Sequence, residues 1–148
     1  PVALLLSRQK LPVQNPVPQT DAFSRGAYIL SASSAIPDII LIATGSEVNL
    51  AIESKAALEN EGLSVRVVSM PSWELFEKQP ENYRRDLLLN DVPKLAIEAG
   101  ITQGWRKYAD DVIGLDHFGA SAPGPVVFEK LGFTVDNIVK RIRTLLND

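Results

Sequence analysis

Ile39 to Ala43 (IILIA) is apolar at every position and is followed at once by Thr44-Gly45-Ser46 and then by a helical pattern. A run too short for a helix and apolar on both sides suits a strand covered on both faces, as in a parallel α/β sheet. Ser46 is placed to cap a helix, with Glu47 at its positive end. Val48, Ala51, Ile52 and Leu58 then fall on one stripe, and Gly62 is placed to stop the helix. Leu63 to Met70 (LSVRVVSM) supplies the next strand. Residues 37–70 therefore read as a βαβ unit, which implies a mostly parallel sheet with helices packed on it.

A strand-to-helix turn invites an anion-site reading, because free amides gather there. This turn has one glycine and matches neither GxGxxG nor GxxxxGK[ST], so it specifies a fold rather than a nucleotide.

The chain has 148 residues, enough for one domain that buries roughly 68–70% of its extended surface without staples. It has no cysteine, which removes thiol chemistry and fits a reducing compartment. A net charge of -3 with interspersed signs gives no footprint for nucleic acid or an anionic membrane. No apolar run approaches the ~20 residues of a spanning helix. The chain opens on Pro1 and runs straight into a strand-like segment, so it is expected to be cut from a longer protein.

Val2 to Leu6 (VALLL) reads as a buried strand, with Ser7-Arg8-Gln9-Lys10 at its carboxyl end. Pro12, Pro16 and Pro18 make the following stretch a stiff linker. Residues 1–19 are thus expected to be the last strand of a preceding domain plus a connector, and 20–148 the domain proper. Arg25 to Leu30 is a strand with no helix before the next one, hence an antiparallel edge. Beyond the βαβ unit come a short helix at Glu74–Lys78 and a second helix with Pro80 at its first position. A strand at Lys94–Glu98, a helical turn within Gln103–Ala109 and a strand at Val112–Leu115 follow. Pro125 opens a helix that ends at Gly132, where Phe133 folds back on Phe128. Thr134 caps a last helix whose Val135, Ile138, Val139, Ile142, Leu145 and Leu146 form one stripe.

The chemical inventory is thin. His117 is the sole histidine and, beside Asp116, could act as a base; a surface role is the simpler reading. Scattered carboxylates without cysteine form no metal set. Ser7, Ser46 and Ser121 lack a histidine partner, and Gly45-Ser46-Glu47 is not a nucleophile elbow. Glu98 ends a buried strand at the edge where α/β ligands sit, as a catalytic acid or, more simply, a cap of the next loop. Trp73, Trp105, Tyr108 and Phe118 sit near strand ends, as a ligand cup or as packing. Arg8, with Lys10 close by, is suited to a forked grip on a phosphate.

In order, PVALLLSRQ, RGAYIL, PDIILIATGSEVNLA, VRVVSMPSWELF, AIEAG, FGASAP and GFTVDNIV resemble the C-terminal portion of transketolases, over essentially the whole chain. The resemblance implies a three-layer α/β/α domain with a five-stranded, mostly parallel sheet whose first strand is antiparallel. It also implies a cytoplasmic, homodimeric parent enzyme that transfers two-carbon ketol units between sugar phosphates. That enzyme would use thiamine diphosphate and magnesium, both held by a diphosphate-binding and a pyrimidine-binding domain absent here. Residues 1–10 would be the closing strand of the pyrimidine-binding domain, followed by a linker up to residue 19, and Arg8 would contact the substrate phosphate. The resemblance places no catalytic, cofactor or metal residue on this segment, which alone is expected to be structural and inactive. The alternatives are the same domain of a deoxyxylulose-phosphate synthase or of a 2-oxo-acid dehydrogenase beta chain, or a non-catalytic association module.

Overall fold

The computed structural model describes residues 9–14 and 20–147. The expected strand Val2–Leu6, the prolines Pro16 and Pro18, and Arg8 lie outside the described residues.

Among the described residues five strands form one sheet in the order β1-β3-β2-β4-β5. β1 (Tyr28–Ala32) runs antiparallel to β3 (Val65–Ser69) at one edge. β2 (Ile39–Ala43), β3, β4 (Lys94–Ile97) and β5 (Asp111–Ile113) are mutually parallel. The reason lies in β2, whose five residues are all buried. Ile39, Leu41 and Ala43 enter one apolar layer, and Ile40 and Ile42 enter the other. A strand that feeds two cores needs helices on both sides of the sheet.

The first layer is closed by α2 (Glu47–Asn60), α5 (Gly124–Lys130) and α6 (Val135–Asn147), with Leu58, Phe128, Ile138 and Ile142 in it. The second is closed by α3 (Trp73–Glu77), α4 (Glu81–Leu88) and a 3-10 turn at Trp105–Lys107, with Phe76, Leu87, Trp105 and Tyr108 in it. The chain leaves β2 to one side to make β3, then crosses to β4 on the other side. Between the carboxyl ends of β2 and β4 lies the topological switch point, the usual ligand crevice of open α/β sheets.

Several local expectations hold. Gly62 N–H donates to Glu59 O at 3.0 Å and Leu63 N–H to Leu58 O at 3.2 Å, ending α2 in a Schellman pattern. Phe133 N–H donates to Phe128 O at 2.8 Å, and the two rings stand 5.2 Å apart. Asn137 N–H donates to Thr134 Oγ1 at 3.3 Å at the start of α6.

Others need correction. Ser46 precedes α2 but sits in a helical conformation (φ -68, ψ -28), so its hydroxyl cannot reach a free amide and turns to Glu47 Oε1 instead. Pro80 lies just before α4 rather than at its first position. A short helix, α1 (Thr20–Ser24), precedes the first strand, which starts at Tyr28 rather than Arg25. The displacement is set at Gly26, whose φ of +82 makes a turn there. A Cβ at that position would stand 2.4 Å from Ser72 O, so Gly26 also lets the α1–β1 turn press against the start of α3.

Candidate functional site

At the switch point a cleft of about 710 Å³ opens on the carboxyl edge of the sheet. Its floor comes from residues that leave successive strands: Thr44 after β2, Met70 and Pro71 after β3, Glu98 after β4. Its walls are the start of α3 (Trp73, Glu74) and the loop from Gly100 to Trp105. The parallel register places Ala43 beside both Ser69 and Ile97, so all three strands end at one level.

The walls are held firmly. Ser72 Oγ accepts from Leu75 N–H at 3.2 Å and fixes the first turn of α3. Trp73 stacks edge-on against Trp105, with ring centroids 5.0 Å apart, and lies 5.7 Å from Tyr108. Gly104 has φ +89, and a Cβ there would meet the Trp73 ring at 2.7 Å, so the indole lies directly on the loop backbone. Asp116 ties this loop to the next one, accepting from Thr102 N–H at 2.9 Å and from Thr102 Oγ1 at 2.8 Å. Leu115 N–H adds a bond to Gly100 O at 2.7 Å.

The electrostatics are acidic. Glu47, in the first turn of α2, is 4% exposed. Glu98 is half-buried, and its Oε2 is sealed from solvent with no hydrogen-bond partner among the described residues. Burial, and secondarily the charge of Glu47, push the Glu98 carboxyl up to about 7. No lysine or arginine lines the cleft among the described residues. A helix N-terminus beside a strand end ordinarily favours anions. Here carboxylates occupy that position, and a phosphate would meet repulsion.

The residues singled out from sequence scatter in an instructive way. Glu98 faces the cleft as expected but caps nothing: no amide of the following loop donates to its carboxylate among the described residues. Trp73 and Trp105 line the cleft, while Tyr108 sits behind them and donates from its hydroxyl to Glu77 Oε1 at 2.9 Å. Phe118 is fully exposed and takes no part in that cluster. Asp116 does not orient His117; its oxygens are engaged by Thr102, and His117 Nδ1 instead approaches Phe118 O at 2.8 Å. The buried Glu47 was not anticipated as a site residue. Its place in the first turn of the helix that follows the fully buried strand β2 is the signal that could have found it, because that turn packs beside the strand ends.

Fold and site together define a doubly wound α/β/α domain with an acidic, tryptophan-walled cleft at its switch point. Residues 26–134 match the family described as "Transketolase-like TK C-terminal domain". Transketolase of Halalkalibacterium halodurans is 47% identical over an alignment covering 100% of this chain and 23% of that protein. Transketolase of Bacillus subtilis is 48% identical, with 99% and 23% covered. Among solved structures, transketolase from Leishmania mexicana superposes with a TM-score of 0.89 at 39% identity, covering 95% of this chain and 20% of that one. The chain belongs to the transketolase family, as its C-terminal domain. It spans about a quarter of the length of the curated relatives it matches.

Proposed function

We propose that this chain is the last domain of a transketolase that transfers two-carbon ketol units between sugar phosphates with thiamine diphosphate and magnesium. The observation that carries the reading is the end-to-end match at 47% identity to a transketolase of which this chain corresponds to 23%. One solved relative, from Pichia stipitis, is described as a complex with sedoheptulose 7-phosphate; it has a TM-score of 0.88 and is 37% identical to this chain.

The cofactor and its metal are assigned to polypeptide outside this chain. A diphosphate does not fit the cleft, whose charged lining residues are Glu74 and Glu98, with Glu47 close by. Among the described residues no three His, Cys, Asp or Glu are grouped to hold a metal ion. What this domain contributes is architectural: two cores that fix the carboxyl edge of the sheet, and a rim there that carries exposed apolar side chains. Ile101 is 60% exposed and Phe118 fully so. The loops 100–104 and 117–123 are assigned to contacts with the other domains or the partner subunit of a homodimer.

Residues 1–19 are assigned to the end of the pyrimidine-binding domain and its linker. Arg8 within them is the one substrate contact proposed, a guanidinium holding the sugar phosphate. No helix among the described residues is long and apolar enough to cross a membrane. A cytoplasmic location is part of the proposal.

Calorimetric titration tests this division of labour. Thiamine diphosphate with magnesium should give no saturable heat with the 148-residue chain. It should bind a graft in which the chain replaces the corresponding part of Bacillus subtilis transketolase. Micromolar binding to the chain by itself would refute the assignment.

A further inference from the structure

The carboxylates around the cleft are not alike. Glu47 accepts from the Ser46 hydroxyl, Glu74 from the Ser72 hydroxyl at 3.1 Å, and Asp116 from the amide and hydroxyl of Thr102. Glu98 alone of the four has an oxygen, Oε2, that is sealed from solvent with no donor among the described residues. A neutral carboxyl leaves only a weak acceptor inside, whereas an ionised one leaves an uncompensated charge. The charged groups near Glu98 offer no relief: Glu47 on α2, Glu74 on α3 and Asp116 after β5 are all acidic. The cations of the 3-10 turn are engaged elsewhere, Arg106 with Asp110 O at 3.3 Å and Lys107 with Glu77 Oε1 at 2.9 Å. Burial first, and the charge of Glu47 second, accordingly hold the Glu98 carboxyl up at about 7.

The Glu98 side chain also lies directly on the loop that follows it. A Cβ on Gly100 would stand 3.2 Å from Oε1 and 3.5 Å from Cγ, so the Gly100 backbone rests on the carboxyl group. On its other side the loop is pressed to the segment after β5. A Cβ on Gly114 would meet Thr102 Cγ2 at 2.5 Å and Gly100 O at 3.1 Å, and Leu115 N–H donates to Gly100 O at 2.7 Å. The loop is thus held between that segment and a side chain whose charged form has no partner. We propose that the loop Gly100–Gly104 is proton-gated: it is closed on Glu98 while that carboxyl is neutral, and released when ionisation turns the carboxylate out into the cleft. The cleft, about 710 Å³ in volume, has room to hydrate it there. Ile101, 60% exposed, rides on this loop, so the rim assigned above to domain contacts loses order as pH rises through the transition. The proposal deepens the reading of this chain as one domain of a longer enzyme, but its test does not depend on ketol transfer.

Amide hydrogen exchange and NMR titration of the 148-residue chain between pH 5.5 and 8.5 test it. Protection at the Thr102 and Leu115 amides, corrected for the intrinsic rise of exchange with pH, should fall about tenfold or more across that range, because ionising a raised acid favours the open form. The amide shifts of Gly100, Ile101 and Gly104 should follow one midpoint, shared with the Glu98 carboxyl carbon. In Glu98→Gln the fall in protection should vanish. Should that variant not fold, the agreement of the two midpoints in the unaltered chain decides. Histidines ordinarily titrate in the same range, so His117→Asn is the second variant, and it should keep the transition. Unchanged protection, midpoints that differ, a transition that survives Glu98→Gln, or one lost in His117→Asn would each overturn the proposal. Loop release in a chain whose graft transfers no ketol group would leave the proposal standing and refute the functional reading.

Discussion

Glu98→Gln should stabilise the folded chain, and only at neutral and alkaline pH. The Glu98 carboxyl is raised from its ordinary 4.5 to about 7, chiefly by burial. A raised acid binds its proton more tightly folded than unfolded, so ionising it opposes folding. The penalty is therefore absent below about pH 4.5, grows as pH rises and is complete above about 7. At 1.36 kcal/mol per pH unit the whole shift corresponds to about 3 kcal/mol. Solvent reaching the half-buried side chain reduces this to about 1–2 kcal/mol. Glutamine has the shape of the protonated acid and cannot ionise. The variant should match the parent near pH 4.5 and exceed it by about 1–2 kcal/mol at pH 8, a urea midpoint shift of about 1 M or less. The assay is equilibrium urea unfolding of both proteins at pH 4.5, 6 and 8. Carboxylates that do not interact with Glu98 cancel in the difference, and the repulsion between Glu98 and Glu47 is part of what the difference reads. A difference that does not change with pH, or a variant less stable at pH 8, would refute the burial argument.

Gly26→Ala should cost about 2 kcal/mol or more in urea unfolding, because the backbone sits at φ +82 and the new methyl would meet Ser72 O at 2.4 Å. A loss under about 0.5 kcal/mol would mean that the turn relaxes freely. Ser72→Ala removes the side-chain acceptor for Leu75 N–H and should lower stability by about 1 kcal/mol, read the same way, while Ser46→Ala should cost less because its hydroxyl caps no amide. In the Bacillus subtilis graft, Arg8→Ala should lower kcat/KM for phosphorylated substrates about tenfold to a hundredfold, mainly through KM. Turnover of hydroxypyruvate without a phosphorylated acceptor should be nearly unchanged, and equal losses on both would make Arg8 structural.

How far the sequence carried the fold is clearest at β2. A run apolar at each position from Ile39 to Ala43 dictates a strand between two cores, and both cores are there. The same clarity holds for α6, where the spacing of Ile138, Val139 and Ile142 names the buried face. The edges were less legible. β1 starts three residues later than its apolar pattern suggests, because the turn at Gly26 is shaped by contact with Ser72 and Phe76, far away in sequence. Ser46 has the right residue type for a cap but the wrong backbone angles, which only the packed βα turn determines. The cleft was half legible: Glu98 and the tryptophans could be placed at the right edge, since strand direction alone puts them there. That Glu47 would turn inward, and that Asp116 would hold Thr102 rather than His117, depend on side-chain placement across loops. Nothing periodic encodes those choices.

Ketol transfer by the Bacillus subtilis graft tests the central claim most directly. With xylulose 5-phosphate as donor and ribose 5-phosphate as acceptor, in the presence of thiamine diphosphate and magnesium, kcat/KM should stay within about tenfold of the parent enzyme. That tolerance, equivalent to about 1.4 kcal/mol, covers the interface contacts altered by replacing one domain with another 48% identical to it. A graft that is dimeric and binds cofactor but transfers no ketol group would contradict the account.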